Sequence, residues 1–335
     1  MGNVMKKVVI AASAVLAMGI TTASAADLGA KMYKKAAPIV APYDPWDIAF
    51  GASITNNYLF RGVSQSNNRP SVTAYFEPRY NINKDLQLYI GTSASSISFA
   101  NRAALEIDGY FGIRPTFGAA AFDFGFWYYG YPGGQCTDFD AAGTLGVCGP
   151  GTSPQVLANG NVMKKDVSFY EVYGKFNYTF NDYFTMGVSD NYSPNFLNTG
   201  AWGNYAAVTA KAIAPTTWFG SSGVGMYVSG EFGRQWLGTS DAFYSVPAFP
   251  AGIKYADYNT WNVGIGFTYK VFTLDLRYSD TSLNRGDCNA FTSDFTASGV
   301  TNITPINPGG AGSSWCGATG IVKLSADLTA MTNLK

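Results

Sequence analysis

The stretch AFDFGFWYYGY, residues 121–131, puts large aromatic side chains at every second position: Phe122, Phe124, Phe126 and Tyr128. The residues between them, Asp123, Gly125, Trp127 and Tyr129, include a carboxylate. Successive strand residues point to opposite faces, so one face carries a row of rings and the other an acid. A soluble β-sandwich would bury the rings against a second sheet and charge its wet face. Here the second face is rich in Gly, Ser and Tyr instead, a pattern that fits lipid on one side and a narrow aqueous lumen on the other.

The period of two persists along the chain, and helical spacing is scarcely found. Twelve segments carry it: 47–62, 70–81, 85–97, 103–115, 121–131, 168–180, 183–193, 204–214, 223–235, 259–270, 271–282 and 320–328. In 259–270, for example, Trp261, Val263, Ile265 and Phe267 alternate with Asn262, Gly264, Gly266 and Thr268. Most segments approach the ~9–11 residues that a tilted strand needs to cross a bilayer. Their number is even, as in bacterial single-chain barrels. Connections after the even-numbered segments are mostly short, as with NKD at 83–85, Gly118-Ala119 and ND at 181–182. Several after the odd-numbered ones are long: 132–167, 236–258 and 283–319. The expected fold is therefore an all-β, antiparallel, up-and-down transmembrane β-barrel over 47–330. It would have short periplasmic turns and long extracellular loops. Closure pairs every backbone N–H and C=O, which a hydrocarbon core demands.

Composition agrees. Charged residues make up 13% of 335 and aromatics 16%, with 38 glycines. The 22 basic and 22 acidic residues leave no excess that would draw nucleic acid. Lys6 and Lys7 precede the apolar run Val8 to Ile20, and Ala23-Ser24-Ala25 follows it. This reads as a signal peptide over 1–25, too short to span a bilayer. Its cleavage would leave 20 basic and 22 acidic residues. The Ala/Pro-rich stretch 26–46 reads as a periplasmic tail. Sec export and residence in the bacterial outer membrane are the expected localisation. Cys136, Cys148, Cys288 and Cys316 form an even set in an exported chain, which reads as disulfides. Three connectivities are possible; the sequence-local pairs Cys136–Cys148 and Cys288–Cys316 are preferred, and each lies within one long loop.

Histidine is absent. That removes histidine-based hydrolysis and His–metal ligation, and no phosphate-binding glycine loop occurs. Carboxylate-only glycosidase chemistry, or Ca²⁺ held by loop acids such as Asp138 and Asp140, is formally open, but solvation is the simpler role for those acids. No enzyme activity, metal or cofactor is expected. The residues of interest are charges that alternation turns inward: Glu77, Glu106, Asp108, Asp123, Glu171, Glu231, Asp275 and Asp327, with Arg79, Arg114, Lys175, Lys211, Arg277 and Lys323. They either pair across the lumen and close it, or line a narrow, weakly selective pore. Inner-face glycines, Gly51, Gly91, Gly125, Gly187, Gly264 and Gly266, are expected to leave space and favour the pore. Arg234 falls on the apolar phase, where an interface position would let it snorkel.

Several pieces resemble one family: YLFRGVSQSNNRPSV (58–72), LYIGTSAS (88–95), EIDGYFGIRPTFG (106–118), YEVYGKFNYTF (170–180) and DNYSPNF (190–196). Together they resemble the TorF family of proteobacterial outer-membrane porins, over roughly 47–282. The most specific piece is Phe60 to Ser66. The resemblance implies an outer-membrane barrel with a channel role and supplies no substrate. On the motif, Arg61 would close the outer end of the first strand, point inward and shape the rim, with Gly62 and Ser64 starting the turn. The closing DLTAMTNLK departs from the aromatic ending that barrel-assembly machinery reads. The expected function is passive diffusion of small hydrophilic solutes or ions. The alternative is a structural or adhesion barrel with a blocked lumen that presents disulfide-braced loops. Outer-membrane lipid, the solutes and the assembly machinery are the expected partners; no oligomer interface stands out.

Overall fold

The computed structural model describes residues 45–135 and 163–334. Its strands are β1 (Trp46–Thr55), β2 (Leu59–Phe60), β3 (Val63–Ser64), β4 (Ser71–Asn83), β5 (Leu86–Ser96), β6 (Leu105–Phe117) and β7 (Ala120–Gly130). There follow β8 (Phe169–Asn181), β9 (Phe184–Ser193), β10 (Gly203–Ile213), β11 (Val224–Leu237), β12 (Tyr258–Tyr269), β13 (Phe272–Thr281) and β14 (Thr319–Thr329). β1 and β4–β14 close into a twelve-stranded antiparallel barrel, while β2 and β3 form a separate two-stranded hairpin. β1 closes the cylinder against β14 in the register Phe50↔Leu328 and Ala52↔Ala326. Connections on one edge are mostly two-residue turns; those on the other are long, so the barrel has a turn edge and a loop edge.

The outer surface is apolar. Val72, Ile90, Phe111, Phe124, Val188, Phe232 and Val263 are all exposed. Trp46, Phe117, Phe180, Trp218 and Phe272 ring the turn edge, and Tyr128, Tyr170, Tyr192, Trp202 and Tyr278 stand toward the loop edge. An apolar band between two aromatic girdles is the exterior of a transmembrane β-barrel. The row that begins at Phe122 lies in this band. Its rings pack across strands, Phe122 against Phe176 at 5.0 Å and Phe126 against Tyr170 at 5.3 Å. Arg234 faces outward near the loop edge, bonded to Asn259 Oδ1 at 3.1 Å and lying 5.5 Å from the Trp236 ring.

The compact apolar cluster lies at the loop edge, beneath the loops. Phe99, Tyr131, Val167, Phe169, Phe196, Leu237, Ile253, Tyr255 and Trp315 are among its buried members. The loop after β13 contributes a helix, α1 (Arg285–Thr292), capped by Asn284 accepting from the Asp287 N–H at 2.8 Å. Cys288 on this helix is joined to Cys316, as expected. Cys136 and Cys148 lie outside the described residues, as do Asp138, Asp140 and residues 1–44.

One expectation is corrected. The first strand does not run to residue 62; it ends at Thr55. The chain then folds back into the barrel as the β2–β3 hairpin. Arg61 and Gly62 form its two-residue turn, with φ values of 50° and 77°. Positive φ at both positions matches the turn geometry that right-twisted hairpins prefer. Arg61 is therefore not placed by strand alternation at the rim. Hydrogen bonds hold the hairpin base: Asn57 Oδ1 accepts from Ser64 Oγ at 2.7 Å and Ser66 Oγ at 3.2 Å, and the Ser64 N–H reaches Trp315 O at 2.8 Å.

Candidate functional site

All fourteen inward charges predicted on the strands do face the lumen, most of them buried. Several of them pair rather than stand as open rings. Arg114 is the hub of the β4–β8 wall. Its guanidinium grips both Glu77 oxygens, at 2.8 and 3.2 Å, donates to Asp123 at 3.2 Å, and stacks 3.6 Å from the Tyr89 ring. Arg79 adds a third bond to Glu77 at 2.6 Å. A bidentate Arg–carboxylate pair in a low-dielectric site is strong because both charges are satisfied at once. On the other wall Arg277 holds Asp275 at 3.0 Å and also bonds Asn262 and Ser229. Lys323 stands opposite Asp275 in the β13–β14 register. Lys211 lies 4.5 Å from the Tyr227 ring.

Tyrosine hydroxyls hold most of the carboxylates. Tyr58 donates to Glu106 at 2.6 Å, Tyr75 to Asp327 at 3.0 Å and Tyr89 to Asp123 at 2.6 Å. Tyr129 donates to Glu171 at 3.3 Å, Tyr205 to Glu231 at 2.6 Å and Tyr227 to Asp275 at 2.7 Å. Asp108 accepts from Ser93 at 2.6 Å, and its second oxygen has no partner among the described residues. A phenol donates without adding charge, so eight acids coexist with fewer bases.

These tyrosines overturn one part of the pore argument. The inner glycines do not leave open space. A Cβ at Gly51 would strike Tyr75, at Gly91 Tyr110, at Gly125 Tyr173 and at Gly266 Tyr227. A Cβ at Gly187 would meet Asn177, and one at Gly264 Arg277. Each glycine is a recess that a neighbouring strand's side chain fills. Reading the glycines without the cross-strand register could not show this.

The hairpin tip crosses the lumen. Arg61 donates to Glu171 on β8 at 2.6 Å and to Gln235 on β11 at 3.0 Å. Its guanidinium lies 4.5 Å from the Phe60 ring and 4.6 Å from the Tyr205 ring. Gly62 packs against Thr260 and Thr281, where a Cβ would not fit. Gln235 and the lumen tyrosines are the site residues that sequence reasoning missed. Their only signal is a polar or phenolic residue on the inward phase of a strand.

Below the hairpin a cavity of about 180 Å³ remains. It is eccentric, walled mainly by β8–β14, and extends from Tyr58–Gly62 to Thr185 and Lys211 near the turn edge. The β4–β7 side of the lumen is filled by the Arg114 network and its tyrosines.

Fold and lumen together define a transmembrane β-barrel with a packed polar interior, a hairpin across it and one residual cavity. Residues 40–159 match the family described as "Bacterial protein of unknown function (Gcw_chp)", a stretch that contains the hairpin and β1–β7. No curated protein matches. Among solved structures the chain is similar to an outer membrane channel from Pseudomonas putida at 11% identity, covering 86% of this chain and 97% of that one with a TM-score of 0.41. It is similar to LpxR from Salmonella typhimurium at 8%, covering 84% and 99% with a TM-score of 0.38. Outer-membrane expressed OmpT of Vibrio cholerae gives 10%, 86% and 99%, with a TM-score of 0.36.

Proposed function

We propose that this barrel is an outer-membrane channel that passes small hydrophilic solutes along the β8–β14 side of its lumen, under control of the β2–β3 hairpin. The cavity carries this reading. It is lined in part by charged and hydroxyl side chains, lies inside the barrel, and reaches from near the turn edge to the hairpin. A lumen meant only to be closed would be filled on this side as it is on the β4–β7 side. The resemblance of the Phe60–Ser66 piece to the TorF porins agrees, because that piece builds the hairpin. Carboxylates held by Tyr and Arg donors fit an electrostatic role rather than acid–base turnover, and outer-membrane lipid is the partner of the apolar belt.

The roof of loops favours the second reading, a blocked barrel that displays its loops. Planar-bilayer recording separates the two. The purified full-length protein is expected to give small, brief conductance steps. Arg61→Ala, which frees the hairpin from Glu171 and Gln235, is expected to give larger or longer openings. Silence from both proteins across salts and voltages would leave the display reading standing and the channel reading refuted.

A further inference from the structure

The cavity does not share the balance of the lumen as a whole. Five of the eight lumen carboxylates, Glu77, Glu106, Asp108, Asp123 and Glu171, lie on the β4–β8 strands. The cavity is instead lined by Arg61, Lys175, Lys211, Arg277 and Lys323 against only Glu231 and Asp275. Both of those acids already accept hydrogen bonds, Glu231 from Tyr205 and Asp275 from Tyr227 and Arg277.

Lys175 stands out within this set. It faces Asp123 across the β7–β8 pair, but Asp123 is taken by Tyr89 and Arg114. Lys175 is only 8% exposed and makes no hydrogen bond or ion pair among the described residues; its ammonium rests 4.4 Å from the Tyr173 ring. Directly opposite it on β9 lies Ser189, 6% exposed, whose hydroxyl has no hydrogen-bond partner among the described residues. Both line the cavity. A buried ammonium is costly without a counter-charge, and a buried hydroxyl is costly without an acceptor. One group satisfies both: an anion with at least two acceptor oxygens.

We propose that the lumen cavity is a binding site for a small oxyanion, a phosphate or short-chain carboxylate, held by Lys175 and Ser189. Lys211 and Lys323 contribute attraction from the same cavity, and a volume of about 180 Å³ admits such an ion with some of its water. This names the solute class of the proposed channel and rests on that reading for transport, whereas binding itself does not depend on conduction.

The test is calorimetric titration of inorganic phosphate, and separately of succinate, into the detergent-solubilised full-length barrel at low ionic strength. Saturable binding of at least one is expected. Lys175→Met should weaken it by about tenfold or more, the size of a lost charge-assisted hydrogen bond. Ser189→Ala should weaken it less, and Lys175→Arg should restore most of it. Unheated-gel mobility confirms that each variant is folded. No saturable heat with either anion, or equal affinity in folded Lys175→Met, overturns the site. Reversal potentials in a KCl gradient form the second arm, with anion selectivity expected and cation selectivity counting against the proposal. Phosphate binding without any current would uphold the site and refute the channel. Current without anion binding would do the reverse.

Discussion

At the residue scale, the interior is governed by a repeated unit of three groups. An inward tyrosine lies over a glycine of a neighbouring strand, and at several positions its hydroxyl caps a carboxylate. Tyr227 over Gly266 with Asp275 shows all three. The glycine supplies the recess, the ring fills it, and the phenol donates to an acceptor that the lumen would otherwise bury unsatisfied. Gly125→Val tests the recess. The new side chain would collide with Tyr173 and with the Phe111 carbonyl oxygen, and the backbone there cannot yield as a flexible side chain can. Overpacking of this kind costs about 1–3 kcal/mol. Urea unfolding in detergent is expected to shift to lower denaturant, with Gly109→Val as the control because its added atoms meet open space. Equal midpoints for the two variants would refute the recess.

At the scale of the element, strand signals were legible where lipid imposed them and failed where tertiary contacts took over. The segment 259–270 is observed as Tyr258–Tyr269, and 183–193 as Phe184–Ser193, because a bilayer enforces strict alternation over the whole span. At Tyr58 that constraint ends. Phe60 continues the alternation well enough to extend β1 on paper, yet it and Val63 turn inward to the loop-edge cluster. Arg61-Gly62 between them is a two-residue turn signal, but Glu171, Gln235 and Trp315, which fix the hairpin in place, lie 110 to more than 250 positions away. The inward charges were legible for the same reason as the strands; their partners were not, since pairing depends on register. The loop after β13 is braced differently. Cys288 and Cys316 are 28 positions apart, and closing a loop of that length removes unfolded-state entropy worth about 3–4 kcal/mol. The double variant Cys288→Ser, Cys316→Ser is therefore expected to become susceptible to proteolytic nicking between 283 and 318 while the strands remain protected. An unchanged cleavage pattern would mean that packing around Trp315 alone holds the loop.

At the scale of the whole molecule, the protein consists of two bodies stabilised in different ways. The barrel is held by twelve antiparallel pairings and an apolar belt facing lipid. The roof is held as a small soluble protein is held, by a buried aromatic and aliphatic cluster, a disulfide and a capped helix. The two meet at the hairpin, where Trp315 Nε1 donates to Asn67 at 2.9 Å and Arg61 reaches down to Glu171. If the roof is a separate body, removing the loop after β13 should open the mouth without unfolding the cylinder. Replacing residues 285–314, with Cys316 changed to Ser, by a short Gly-Ser link makes that comparison. The variant is expected to keep the compact, heat-modifiable band on unheated gels and a urea midpoint closer to the parent than that of Gly125→Val. Its single-channel conductance should exceed that of the parent, because Trp315 loses the Ser313 and Phe295 contacts that seat it against the hairpin. Loss of the compact band would make the roof part of the barrel's own stability, and an intact band with unchanged conductance would place the constriction at the Arg61–Glu171 contact alone.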